Sequence, residues 1–242
     1  MPAECKESEA FTRRDLLALI VFVVVLAGML WPMQHGPKIN AKKMIARSEE
    51  FGLVAAIEQY YAEYSRLPAS SNALAATGTN DFTFGTVSET PAGSGRLSPL
   101  TVDTPGETVY QNYNSEVISI LRDDNFWPEA ARVKSHIYNT KQRVYFDARA
   151  APDTNSPGIG PDDVFRDPWG SPYIITLDLN QDHRCYDKTL NIVYQMETPK
   201  PTGPLMVPGE AIVWSFGPLK TVNFGQPLNS KDTGKQTIIT SF

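Results

Sequence analysis

Cysteine is nearly absent from this 242-residue chain. Cys5 and Cys185 are the only two, and they sit in different regions, so no disulfide framework is expected. Histidine is almost as scarce: His35, His136 and His183 fall in three separate stretches. No HExxH, GxSxG, P-loop or paired CxxC occurs, so no catalytic set is expected and the chain does not read as an enzyme. Cys185 follows His183 by two residues, but a nucleophile–base pair is defined by spatial geometry, not by that spacing. Asp123-Asp124 and Asp162-Asp163 read as solvated loops or helix caps. Basic residues are outnumbered, 22 Lys and Arg against 27 Asp and Glu, a net charge of −5. No basic stripe interleaves with aromatics, which excludes nucleic acid as a partner.

Charge is missing altogether from one stretch. Residues 16–33, LLALIVFVVVLAGMLWPM, carry none. As a helix rising ~1.5 Å per residue they span about 27 Å, close to a bilayer core. Trp31 suits the far interface. No small-residue cleavage site follows, which argues against a removed signal peptide. Thr12-Arg13-Arg14-Asp15-Leu16-Leu17 also fits a twin-arginine export signal. Positive charge leaves the orientation open: Lys6, Arg13 and Arg14 precede the run, and Lys38, Lys42, Lys43 and Arg47 follow it.

Phe11, Asp15 four residues later, the apolar run and Pro32 together resemble the N-terminus of type IV pilins and type II secretion pseudopilins. In that family a short leader is cut before the Phe by a prepilin peptidase, and the new terminus is methylated. The resemblance implies processing between Ala10 and Phe11. It also implies an assembly role for Asp15, whose carboxylate at the edge of an apolar helix needs a partner. Pro32 would kink the helix by removing a backbone donor. The family usually has Gly where Ala10 stands, Glu at Asp15, and apolar residues at Arg13 and Arg14.

After a break at Gly36-Pro37, residues 41–64 predict a second helix with Met44, Phe51, Val54, Ile57, Tyr61 and Tyr64 on its apolar stripe, ended by Pro68. Residues 69–113 are loop-rich, with room for a short strand pair. A short amphipathic helix is expected at 115–122, and residues 150–163 form a connector rich in Pro, Gly and Asp. Strands are expected at 173–177, 190–196, 211–216 and 236–240. The stretch Asp167-Pro168-Trp169-Gly170-Ser171-Pro172-Tyr173 resembles the signature of the major pseudopilin, and Trp169 is expected to be buried with its indole N–H bonded.

The expected fold is therefore α+β and pilin-like: a long N-terminal transmembrane and amphipathic helix packed on a small antiparallel sheet. Its parts are a leader-like segment 1–10, a membrane helix 11–33, its continuation 34–68, a loop-rich insertion 69–160 and a β region 161–242. The resemblance implies a structural subunit at a bacterial inner membrane, with other pilin-like subunits and secretion or pilus assembly proteins as partners. Two alternatives stay open: a membrane-tethered binding module that does not polymerise, and a twin-arginine-exported enzyme. One ligand is suggested by Asp178, Asn180 and Asp182, whose alternating oxygens resemble the start of a calcium loop. His183 stands where such a loop needs Gly and Thr189 where it needs a bidentate Glu, so these residues favour a plain polar hairpin over calcium.

Overall fold

The computed structural model describes residues 13–30, 36–77, 81–85, 113–124, 135–197, 203–219 and 239–242. The leader-like segment, Ala10, Phe11 and Pro32 lie outside these. The chain divides into two compact units, Met1–Ala41 and Lys42–Phe242.

In the first unit the main element is α1, Arg13–Leu30. Arg13, Arg14 and Asp15 occupy its first turn, so its uncharged described part runs from Leu16 to Leu30. Among the described residues no helix is long and apolar enough to cross a membrane. Leu16, Leu17, Leu19, Ile20, Val21, Phe22 and Val23 are all exposed, each by about half or more of its surface.

The second unit takes in α2 (Gly36–Tyr64) from Lys42 onward. Next come α3 (Ser71–Thr77), β1 (Phe82–Phe84), α4 (Ser115–Arg122) and α5 (Ser135–Tyr138). A short ribbon of β2 (Gly158–Ile159) and β3 (Phe165–Arg166) precedes β4 (Ile174–Leu177) and β5 (Arg184–Cys185). Then follow α6 (Lys188–Glu197), β6 (Val207–Pro208), β7 (Ala211–Ser215) and β8 (Ile239–Thr240). The central sheet is antiparallel in the order β1-β4-β7-β8. The protein is thus mixed helix and sheet with a small antiparallel sheet.

β4 and β7 are buried along their whole length, which explains why both read as continuous apolar runs. Side chains alternate between faces. Ile175, Leu177, Ala211 and Val213 face the larger core, where α2 and α4 supply Leu53, Ile57, Tyr60, Val117, Ile118, Ile120 and Leu121. Ile174, Ile212 and Trp214 join a second cluster with Cys185, Leu190 and Val207.

The short helix expected at 115–122 is present as α4, and β1 adds an edge strand to the sheet; the apolar side chains of both are buried. Other expectations need correction. Residues 190–196 form helix, not strand. The Ile-Val-Tyr run favours a strand, but Asp187 overrides it by accepting the Leu190 N–H at 2.9 Å, an N-cap that starts α6. The buried stripe of α2 is Ala46, Glu50, Leu53, Ile57 and Tyr60, while Met44 (73%) and Phe51 (56%) are exposed. The stripe is turned by about one residue because Glu50, which hydropathy assigns to solvent, faces inward.

Candidate functional site

The signature Asp167–Tyr173 forms the joint between the sheet and α2. The Asp167 carbonyl accepts the Gly170 N–H at 2.9 Å, closing a β-turn. Gly170 has φ +88°, and a Cβ there would stand 2.1 Å from the Asn155 carbonyl oxygen, so only glycine fits. The Asp167 carboxylate is fully buried. It accepts the N–H groups of Trp169 (2.8 Å) and Ser171 (2.9 Å) with one oxygen and the Ser215 hydroxyl with the other. One side chain thus sets the turn and ties it to β7.

The same turn meets α2. Lys42 donates to the Pro168 carbonyl at 2.8 Å and stands 5.8 Å from the centre of the Trp169 ring. Tyr173 donates its hydroxyl to Glu49 at 2.5 Å. Trp169 is partly buried, and its ring lies where a helix cation can cover it. Among the described residues the fully buried tryptophan is Trp214, whose indole N–H donates to Asp187 at 2.8 Å.

Two residues that sequence reasoning missed complete the joint. Asn114 donates to the carbonyls of Phe165 and Tyr173, both at 2.8 Å, and accepts the Phe165 N–H at 3.1 Å. An Asn just before a helical run offers no signal for that long-range role. Glu50 is fully buried and neither carboxylate oxygen has a hydrogen-bond partner. Burial raises its carboxyl to about 9, assisted by the nearby Asp167 charge. Burial likewise raises Asp167 and the Tyr173 hydroxyl.

The residues suggested for calcium lie between β4 and β5. Their side-chain oxygens all accept backbone N–H groups of the loop itself. Asn180 accepts the Asp182 N–H at 3.1 Å, and Asp182 accepts the Arg184 N–H at 2.9 Å, while Asp178 accepts the N–H groups of Asp182 (3.2 Å) and His183 (2.7 Å). These are the side-chain-to-backbone bonds of a tight polar hairpin. Gln181 and His183 both take positive φ, 62° and 61°. What the fold brings together instead is Asp178, His183 and Glu210, with one ligand atom from each lying within 4.8 Å of the others. The His183 Nδ1 to Glu210 Oε1 distance is 2.7 Å, and this hydrogen bond raises the His183 pKa.

Asp15 lies in the first turn of α1. Cys185 is buried, and its Sγ approaches the carbonyls of Thr176 and Gly209 at 3.7 and 3.5 Å, so it does not pair with the exposed His183. Burial raises its thiol pKa. Comparison with protein-family descriptions, with curated proteins and with solved structures finds no match to this chain.

Proposed function

We propose that this chain is a membrane-anchored, non-enzymatic pilin-like subunit of a type II secretion or type IV pilus-like assembly. The observation that carries the reading is the surface of α1. Residues 19–23 are consecutive, so their side chains point all around the helix, yet all five are exposed and apolar. Such a surface calls for lipid or neighbouring apolar helices as its surroundings. The uncharged run also continues beyond α1, to Met33. The Asp167–Tyr173 turn, docked on the helix that leads into the sheet, is consistent with the pseudopilin resemblance of that motif. On this reading the protein sits in a bacterial inner membrane with its Lys42–Phe242 unit outside the cytoplasm, and its partners are other subunits of its class.

The test is the mass of the native N-terminus in membrane fractions. An N-methylated Phe11 as first residue is the expected result. An intact Met1 would favour the tethered module that does not polymerise, a reading to which Ala10, Arg13 and Arg14 lend support. A terminus beyond residue 30 would favour an exported soluble protein. Asp15→Ala is expected to reduce crosslinking between subunits while leaving the melting temperature of the folded unit unchanged; equal crosslinking would remove Asp15 from assembly.

A further inference from the structure

Strand register produces an unusual row of acids at one end of the sheet. Phe82 pairs with Leu177, and Leu177 with Ala211. One residue beyond those pairs, on three adjacent strands, stand Asp81, Asp178 and Glu210. The Asp178 N–H donates to the Glu210 carbonyl at 3.0 Å, which continues the ladder to that level. Like charges directly across strands repel. Two of the three are also withdrawn from water: Asp178 is fully buried, and Asp81 has a carboxylate oxygen that is buried with no hydrogen-bond partner. The other Asp81 oxygen accepts the Tyr186 N–H at 2.5 Å, which holds this acid against the β5 segment.

The hairpin delivers an imidazole to the same row. Asp178 accepts two N–H groups from the turn, and His183 takes a positive φ, so the chain doubles back and sets Nδ1 against Glu210. From the far side, the Gly209 N–H donates to the His183 carbonyl at 3.1 Å, fixing Glu210 beside the hairpin. Backbone bonds thus place each ligand group, and the His183–Glu210 hydrogen bond of 2.7 Å is the contact an ion would replace. A carboxylate that accepts two N–H bonds, as Asp178 does, still has lone-pair capacity for an ion.

We propose that Asp178, His183 and Glu210 form the ligand set of a divalent transition-metal site that clips the β4–β5 hairpin to the turn before β7. Two carboxylates and one imidazole suit Zn²⁺ and its neighbours in the first transition row, whereas calcium takes oxygen ligands alone. Three protein ligands leave at least one position for water. The ion supplies the positive charge that the row of acids lacks, and Asp81 lies next to it as an outer carboxylate. Because Glu210 comes from a segment far from the hairpin in sequence, metal binding adds to the stability of the fold.

The experiment uses the untagged full-length chain in detergent micelles, with Zn²⁺ alone as probe in calorimetric titration and thermal melts, and Co²⁺ as a spectroscopic substitute. The expected result is saturable one-site binding and a raised melting temperature. Co²⁺ should develop visible absorption bands of a nitrogen- and oxygen-ligated ion. His183→Gln, at a position 71% exposed in its side chain, should keep the fold and weaken Zn²⁺ binding by roughly tenfold or more. Glu210→Gln should do the same. Asp178→Asn is the less useful variant, since that carboxylate also holds the hairpin. Equal Zn²⁺ affinity in the parent chain and His183→Gln would overturn the site. So would a melting temperature that rises with millimolar Ca²⁺ and not with Zn²⁺.

Discussion

The two faces of the central sheet bury carboxyl groups in opposite ways. On the α6 face, Asp187 accepts from the Leu190 N–H, the Thr176 hydroxyl and the Trp214 indole, at 2.9, 2.9 and 2.8 Å. On the α2 face, Glu50 is buried as completely and accepts nothing. Burial raises the pKa of both acids, but only Asp187 has donors that oppose the rise. Equal burial therefore carries unequal consequences. One acid organises its side of the core by starting a helix and orienting a tryptophan, and the other is a site of latent instability.

The strongest way to break this comparison is to remove the donor on the satisfied side. Trp214→Ala deletes the largest fully buried side chain among the described residues and leaves Asp187 one donor short. The expected loss is about 3–5 kcal/mol, the range for truncating a large buried aromatic. Urea unfolding of the parent and variant checks it. A loss below about 1 kcal/mol would mean that the α6 face tolerates a cavity and that its polar network does not hold it together.

The orphan on the other face gives the next effect, with opposite sign. Glu50→Met keeps much of the volume and removes the unsatisfied acid. At pH 8 it should stabilise the protein by about 1–3 kcal/mol, the usual penalty of a buried unpaired polar group. The pH dependence sharpens the assignment. Below its ordinary value of 4.5, Glu50 is protonated in both states. Between 4.5 and about 9 the unfolded chain releases the proton and the folded chain keeps it, so stability falls as pH rises through that window. Unfolding measured from pH 5 to 9 should decline less steeply for Glu50→Met than for the parent; parallel slopes would show that another group carries the dependence.

A smaller contrast lies between the two tryptophans. Trp169→Ala should lose about 1 kcal/mol, because that ring is half-buried and its neighbour is the cation Lys42 at 5.8 Å. A loss as large as that of Trp214→Ala, read from the same urea curves, would make the turn a core element in its own right.

These residues also mark what was legible in the sequence. β4 and β7 could be read because a strand buried on both faces is a short run in which apolar and β-branched residues predominate. α4 could be read because its apolar residues cluster within two turns. α6 could not, since strand propensity outweighed a single N-cap at Asp187. Glu50 could not, because charge is taken as a sign of exposure and the reason for its burial is tertiary. Trp214 went unmarked for a related reason: no local motif singles it out, whereas one surrounds Trp169. A motif shows that a tryptophan is placed, but not whether helix or solvent covers it. The calcium reading found Asp178 but not its companions. Glu210 reaches it through pairing of β4 with β7, far along the chain, and His183 was weighed as the residue that spoils a loop and as a neighbour of Cys185, not as a ligand. Contacts set by register are invisible to local spacing.

The smallest effect belongs to a carboxylate with donors on the surface, which extends the comparison from core to solvent. Glu63, on the last turns of α2, takes Lys141 at 2.6 Å on one oxygen, and Arg143 at 2.7 Å and the Tyr145 hydroxyl at 2.6 Å on the other. These hydrogen bonds, that of Lys141 foremost, lower its pKa to about 2. The sign is the reverse of Glu50. Above 4.5 the acid is ionised in both states and its contribution is complete. As pH falls from 4.5 through about 2, the unfolded chain takes up the proton first and that contribution is lost. Exposed pairs are screened by water and salt, so the change should be slight and should shrink further at high ionic strength. Urea midpoints from pH 5 to 2 should fall slightly less for Glu63→Gln than for the parent in low salt, and equally in 1 M salt. A gap that survives high salt would mean that Glu63 holds the 141–145 segment through hydrogen-bond geometry rather than charge.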